Sequence, residues 1–197
     1  MSTGDTRDLD SREVTVASLW VGTNDVYWSL HQNPMEAVDF VAIADRTVRL
    51  VEDVLEKGFD TVLVGRIIDP AYMPGFQYFR LSADQFRALE AGYSEYVVQL
   101  EAGLERVRKR REQRPQNEVL YWNPQLIMEQ HLSRTPADEL GPDQHPQEAA
   151  EMNTIICTRA ECLFVADGFH PKSSTQSLFG RHVSMMLQKH MMSCDKA

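Results

Sequence analysis

Cysteine is scarce in this chain, whose 197 residues include three, at positions 157, 162 and 194. An odd number of cysteines does not describe a disulfide framework, so the sequence gives no indication of a small disulfide-stapled domain. Cys157 and Cys162 flank a short loop and could pair in an oxidising compartment. Reduced thiols are the interpretation we favour, because the chain carries no export signal.

Long apolar runs are also missing. No stretch of the sequence stays apolar over the length that is needed to cross a bilayer. Residues 1–12 are polar and acidic, so they lack the basic and apolar regions of a signal peptide. The sequence therefore predicts no membrane span and, by default, a cytoplasmic location.

Positive charge is sparse, since the formal net charge is -9 and the only dense basic stretch is Arg106–Arg114. This balance does not support nucleic-acid binding, whereas neutral or cationic small ligands remain open. Within the basic stretch we interpret Arg108–Arg111 as the solvated end of a long helix, where cations interact favourably with the helix dipole.

Closely spaced metal ligands do not occur either. The sequence contains no Cys-x-x-Cys and no His-x-x-x-His pair, so it predicts no metal ion and no other cofactor. We interpret the scattered histidines as surface or hydrogen-bonded residues; they are His31, His131, His145, His182 and His190.

What is present is the composition of an ordinary globular domain, with 43% hydrophobic and 25% charged residues. Short β-rich apolar runs predict strands, and apolar positions spaced by three and four residues predict helices. The predicted strands are Glu13–Gly22, Thr61–Gly65, Glu118–Trp122 and Cys162–Ala166. The predicted helices are Phe40–Leu55, ended by Gly58; Phe86–Val107, begun by a capping box at Ser82–Gln85; Pro124–His131; and Leu178–His190.

This alternation of strands and helices predicts an α/β fold, in which a mostly parallel sheet carries helices on both faces. In such sheets the ligand lies beyond the carboxyl ends of the strands. The longest irregular stretch is Arg134–Glu148. Four methionines near the C-terminus predict a helix face that packs on the sheet, with a peptide-binding groove as the second interpretation; they are Met185, Met186, Met191 and Met192.

Two motifs carry polar side chains to strand ends. In the first, Trp20–Asp25, the predicted strand delivers Asn24 into a loop behind a glycine, where its amide could bind a developing oxyanion. In the second, Asp167–Pro171, the spacing lets a tight turn bring Asp167 to His170. A carboxylate bonded to one imidazole nitrogen leaves the other nitrogen free to take a proton from a nucleophile.

These motifs resemble those of the GDSL-type, or SGNH, esterases and lipases, especially the eukaryotic acetylesterases of carbohydrate esterase family sixteen. Gly22-x-Asn24-Asp25 is similar to the third sequence block of the family, and Asp167-x-x-His170-Pro171 is similar to the fifth. The resemblance implies a flavodoxin-like sheet and serine-dependent hydrolysis of a small or acetylated ester, such as an acetylated sugar. It also implies the role of each residue.

In those roles Asn24 is an oxyanion donor, His170 is the general base and Asp167 orients His170. Gly22 and Asp25 belong to the supporting loop. The family places its nucleophile in a Gly-Asp-Ser motif after the first strand, and no such nucleophile is found here. Gly4-Asp5-Thr6 echoes the motif, but threonine replaces serine and no apolar strand comes before it.

We therefore interpret the chain as an incomplete copy that lacks the first strand or strands. Residues 1–12 are a flexible N-terminus, residues 13–192 are the C-terminal part of the hydrolase domain, and residues 193–197 are a tail. A lost N-terminus could have carried the serine and a signal peptide, which leaves the compartment open. The alternative is a non-catalytic remnant or interaction protein, and a metal-dependent enzyme is the weakest hypothesis.

The missing strand has a structural consequence. In the family the serine-bearing strand lies beside the strand that here ends at Gly22. Without that neighbour, the strand exposes unpaired backbone groups and apolar side chains. We therefore expect a protein that is marginally stable or that associates with itself through this edge.

Overall fold

The computed structural model of the chain describes residues 14–33, 37–111, 118–134, 171 and 173–194. Its strands are β1 (Val16–Trp20), β2 (Thr61–Gly65) and β3 (Glu118–Trp122). Its helices are α1 (Thr23–Gln32), α2 (Phe40–Glu56), α3 (Ala83–Arg111), α4 (Pro124–Arg134) and α5 (Ser173–Cys194), with two 3-10 turns at Pro70–Tyr72 and Pro74–Phe79. The irregular stretch after Arg134 and the strand predicted at Cys162–Ala166 lie outside the described residues.

The described strands form one parallel sheet in the order β1-β2-β3. All five residues of β2 are buried. Because successive side chains of a strand point to opposite faces, both faces of the sheet are covered at its centre. The structure thus confirms the predicted α/β fold with a parallel sheet, and β2 has the predicted bounds.

Strand β1 lies at an edge of this sheet, since β2 is its only neighbour among the described strands. Val16 remains 39% exposed and Trp20 37% exposed. The strand is shorter than the predicted run to Gly22, because Gly22 takes a left-handed conformation and α1 begins at the next residue.

Helices α2 and α3 begin and end as local sequence signals dictate. The Asp39 carboxylate accepts a hydrogen bond from the Ala42 N–H at 2.9 Å and caps α2. The Gln85 N–H donates to Ser82 Oγ at 3.3 Å, while the Ser82 N–H donates to Gln85 Oε1 at 2.8 Å. The predicted capping box is confirmed. Gly58 follows α2 with a φ of 95°, as expected of a stop residue.

Two glycines of α3 allow it to pack closely on α2. A Cβ on Gly92 would lie 2.6 Å from Cδ2 of Phe40, and one on Gly103 would lie 2.4 Å from Cγ2 of Val48. The basic residues 108–111 occupy the last turn of α3, as predicted. Larger residues at either glycine would therefore push the two helices apart.

Helix α5 begins at Ser173, five residues before the predicted start at Leu178, and continues through Cys194, so it includes the first two residues of the predicted tail. Its buried Phe179 shares a helix face with the half-buried Met186, seven residues further on. Met185, Met191 and Met192 are 53%, 51% and 63% exposed. The prediction that these methionines pack on the sheet is therefore wrong for three of them, since helical spacing turns them away from the Phe179 face.

None of the helices in the described ranges combines the length and the apolar character that crossing a membrane would require.

Candidate functional site

A glycine turn brings the end of β1 directly into α1. Gly22 has φ 106° and ψ -24°, a conformation that side-chain-bearing residues rarely adopt. A Cβ at this position would also lie 3.0 Å from Cγ2 of both Ile43 and Ile67. The Val26 N–H donates to the Gly22 carbonyl at 3.2 Å and starts the helix. Glycine is therefore required here by the backbone and by the space around it.

Asn24 lies in the first turn of α1, so the prediction that it stands in a loop is wrong. The reason is that the left-handed Gly22 reverses the chain within one residue and leaves no room for a loop. The first turn of a helix has backbone N–H groups without helical partners and carries the positive end of the helix dipole. A developing negative charge would be stabilised at this position.

Asp25, predicted as a supporting residue, connects two helices. Its carboxylate lies 2.8 Å from Nη2 of Arg46 on α2. Both side chains are about half exposed, so the pair contributes little to stability. Its effect is to keep the Asp25 charge paired at the start of α1.

An open cavity of about 1000 Å³ lies at the carboxyl end of β1. Residues from β1, α1 and the segment after β2 line it together with one residue from the start of the α5 segment. The lining residues are Trp20, Val21, Gly22, Thr23, Asn24, Asp25, Tyr27, Trp28, Ile68, Met73, Tyr78 and Pro171. The cavity therefore occupies the place where parallel α/β sheets bind their ligands.

Pro171 is the residue that joins the two sequence motifs in space. It lines the same cavity as Asn24, and its carbonyl accepts a hydrogen bond from Nε2 of Gln176 at 2.9 Å. Asp167 and His170 lie outside the described residues, so the structure leaves their predicted roles untested. What it brings together is Asn24 and the residue that directly follows His170.

The cavity wall formed by the segment after β2 is held by two tyrosines of α3. The Tyr93 hydroxyl donates to the Ile67 carbonyl at 3.2 Å, and the Ile67 N–H donates to the Tyr96 hydroxyl at 3.3 Å. Burial raises the pKa of Tyr96 to about 12 and also raises the pKa of Tyr93. Ile68, the next residue, faces the cavity.

These tyrosine contacts were not predicted from the sequence. Positions 93 and 96 belong to the apolar stripe of a predicted helix, and their side chains are indeed buried. The available signal was the choice of tyrosine over leucine at buried positions, since a buried phenol needs a hydrogen-bond partner.

Asp69 caps the first 3-10 turn of the wall. Its carboxylate accepts a hydrogen bond from the Ala71 N–H at 2.8 Å, and its own N–H donates to Oε1 of Gln125 at 3.3 Å. Burial raises the pKa of Asp69 above the usual range of an aspartate. The segment after β2 is thus ordered by a local cap and by a contact to α4.

An aromatic cluster supports Trp20 from behind the cavity. The Trp20 ring lies 5.6 Å from the Trp122 ring and 5.4 Å from the Phe179 ring, measured between centroids. Trp20 Nε1 donates to the Arg66 carbonyl at 3.0 Å. A Cβ on Gly65 would lie 2.7 Å from the Trp122 ring, so glycine leaves the space that the ring fills. Trp20 is therefore fixed in position although part of it is exposed.

Within the described ranges, no group of three or more His, Cys, Asp or Glu side chains is arranged to hold a metal ion. Comparisons of the chain with models of protein families, with curated proteins and with solved structures found no match.

Proposed function

We propose that the chain is part of an SGNH-type ester hydrolase and that its cavity binds a small neutral ester. The observation that supports this proposal is the presence of Asn24 and Pro171 in one cavity at the carboxyl end of the sheet. His170 is bonded to Pro171, and consecutive Cα atoms are about 3.8 Å apart across a trans peptide. The last residue of the second motif therefore lies in the same cavity as the first motif, although the two are far apart in the sequence.

The proposed chemistry is acyl transfer. A serine Oγ bonds to the ester carbonyl carbon while its proton passes to His170, and Asp167 stabilises the resulting imidazolium. The Asn24 amide donates to the carbonyl oxygen as negative charge develops on it. The C–O bond to the leaving alcohol then breaks, and His170 returns the proton to that alcohol. Water then attacks the acyl carbon, with its proton passing to His170, and the serine Oγ leaves and takes that proton back.

Charge in the cavity favours a neutral substrate. Among the lining side chains of the described residues there is no lysine, arginine or histidine. The one carboxylate among these described lining residues, that of Asp25, is paired with Arg46. The described lining therefore offers an anionic substrate no counter-charge, whereas an acetylated sugar, the substrate that the resemblance implies, needs none.

A non-catalytic interaction protein is the second candidate, and one observation favours it. The described lining includes no serine, and its only aliphatic hydroxyl belongs to Thr23. The hydrolase proposal therefore requires a serine from a segment that the predicted family pattern places before β1.

The test is to express this chain and also a longer polypeptide that includes the residues encoded directly upstream, and to assay both with p-nitrophenyl acetate. We expect the upstream region to encode a strand followed by Gly-Asp-Ser, and the longer polypeptide to hydrolyse the ester. His170→Ala should reduce its kcat/KM by about 10²–10⁴-fold, and Asn24→Ala by about 10²–10³-fold. His182→Ala, on α5 and outside the cavity lining, serves as the matched control.

An upstream region without this motif would contradict the proposal, as would hydrolysis that is unchanged in His170→Ala. If neither polypeptide hydrolyses the ester, the interaction protein becomes the better assignment.

A further inference from the structure

Four aromatic residues line the cavity; we call them the aromatic wall and define it as Trp20, Tyr27, Trp28 and Tyr78. Trp28 is 54% exposed and Tyr78 is 67% exposed. Exposing large apolar rings to water costs free energy, and rings grouped in a concave site commonly mark a ligand surface. The aromatic wall is therefore the part of the cavity where we expect a ligand to bind.

Three of the four rings of the aromatic wall are held by neighbouring rings before any ligand binds. Trp28 stacks on His31, with 5.5 Å between centroids and 22° between planes. Tyr27 meets the Trp28 ring edge-on at 5.3 Å and the Phe79 ring edge-on at 5.5 Å. Trp20, Tyr27 and Trp28 thus each have a neighbouring ring that restricts rotation, so these side chains have little conformational entropy to lose on binding.

The polar non-aromatic side chains of the described cavity lining are grouped at the start of α1, next to the rings of the wall. Thr23, Asn24 and Asp25 are consecutive at the start of α1, and the Asp25 charge is paired with Arg46. The wall itself offers flat ring surface with phenol hydroxyls and indole N–H groups at its edges, and Ile68 and Met73 add apolar surface to the described lining. A flat aromatic ring can stack on such a surface without hydrogen-bond partners.

Helical spacing sets the distance between Asn24 and the Trp28 ring. Asn24 and Trp28 are four residues apart on α1, so they lie on one face of the helix, separated by one turn. Side chains in this relation have Cβ atoms about 5–6 Å apart. A ring stacked on Trp28 would therefore place a directly attached ester carbonyl within reach of the Asn24 amide.

We propose that the aromatic wall binds the aryl group of a neutral aryl ester, with the ester carbonyl directed toward Asn24. This inference rests on the proposed hydrolase function and specifies its substrate. It replaces the acetylated sugar that the resemblance implies with an aromatic alcohol ester, because the wall offers a large exposed stacking surface.

The test uses binding to the unmodified chain, so that it does not depend on catalysis. Acetanilide has the shape of an aryl acetate but is not hydrolysed as an ester; N-cyclohexylacetamide has a similar size without a flat ring, and N-acetylglucosamine represents the sugar alternative. Calorimetric titration should show acetanilide binding most tightly. Trp28→Ala should weaken acetanilide binding about tenfold, because both stacking and apolar burial are lost.

Two further variants guard against an unfolding artefact. Trp28→Phe keeps a ring and should keep most of the affinity, and Val98→Ala, at a 64% exposed position of α3 outside the cavity, should keep all of it. Far-UV circular dichroism of each variant verifies that the fold is retained.

Equal affinity for acetanilide and N-cyclohexylacetamide would overturn the inference, since shape alone would then explain binding. Tighter binding of N-acetylglucosamine, or no binding of acetanilide, would also overturn it. The proposed function fails separately: acetanilide binding without serine-dependent hydrolysis by the longer polypeptide would contradict the hydrolase and keep the aryl site. Serine-dependent hydrolysis without any preference for aryl esters would contradict the aryl site and keep the hydrolase.

Discussion

Glycine serves different purposes at positions 22 and 58, although both residues have positive φ values, of 106° and 95°. Around Gly58 a Cβ would meet nothing within 4 Å, whereas around Gly22 it would press on Ile43 and Ile67. Gly58 only ends α2. Gly22 also sets where α1 starts, and α1 carries Asn24 and Trp28 into the cavity.

Replacing each glycine by alanine separates these effects. Both variants should lose about 1–2 kcal/mol of unfolding free energy through left-handed backbone strain, and Gly22→Ala should lose more because Ile43 and Ile67 must move. Gly22→Ala alone should weaken acetanilide binding. Urea unfolding and calorimetric titration measure the two effects; equal stability losses with unchanged affinity would show that Gly22 does not position α1.

Asn24 shows the limit of prediction at the scale of one residue. Its type and its neighbours indicated an oxyanion donor, and it does line the cavity. Its placement in a loop was wrong, because sequence alone did not reveal that Gly22 would turn left-handed and let a helix begin at once. Glycine, asparagine and aspartate are common in turns and also at helix starts, so these residues did not distinguish the two structures.

At the scale of elements, α3 connects the sheet to the cavity wall. Its tyrosines 93 and 96 satisfy both backbone groups of Ile67, and Ile68 then faces the cavity. The Arg66 guanidinium lies 5.9 Å from the centroid of the Tyr93 ring. The segment after β2 is thus held in place by a helix that begins 16 residues after Ile67 in the sequence.

These contacts predict a loss of stability in alkali. Burial keeps the Tyr96 phenol protonated in the folded chain, where its pKa is about 12, whereas in the unfolded chain it ionises near pH 10. Between these values the folded chain holds a proton that the unfolded chain releases. The stabilisation is complete below about pH 10 and is lost as the pH rises toward the folded pKa.

Tyr96→Phe tests this contribution. At pH 8 the variant should be about 1–3 kcal/mol less stable than the wild type, because the buried Ile67 N–H loses its acceptor. The difference should shrink as the pH rises above 10, and urea midpoints at several pH values measure it. Tyr78→Phe, at an exposed position, should change little at any of them; a constant difference for Tyr96→Phe would contradict the prediction.

Elements were predictable where local rules decide them. The bounds of β2, the capping box of α3 and the stop at Gly58 follow from apolar runs, paired hydrogen-bonding residues and backbone freedom, which neighbours in sequence control. The methionines of α5 were predicted less well. Whether a helix face meets the sheet depends on the helix's orientation, and three of the four remain largely exposed.

At the scale of the whole molecule, the edge at β1 is the main exposed feature of the described sheet. Residues 14–21 include no charged side chain that would discourage pairing with another strand. Val14, Val16, Trp20 and Val21 are 51%, 39%, 37% and 37% exposed. An edge of this kind is a template for strand addition.

We therefore predict that the chain associates with itself through β1 and that a charge on this strand prevents it. Sedimentation velocity should show the wild type as a dimer or larger species and Val16→Lys as a monomer. Val98→Lys adds the same charge at an exposed site of α3 and should leave association unchanged. A monomeric wild type with a steep unfolding transition at high temperature would contradict the prediction.

The sequence by itself determined the parallel α/β alternation, the bounds of β2 and β3, the existence of α2 to α5 and the residue types that suggest ester chemistry, because short-range periodicity and turn preferences encode these features. Only the tertiary structure decided that Asn24 starts a helix, that Pro171 reaches the same cavity and that Trp28 and Tyr78 form one wall. These features depend on how the helices pack on the sheet and bring residues from distant parts of the chain together at one end of it. No local sequence pattern specifies that packing.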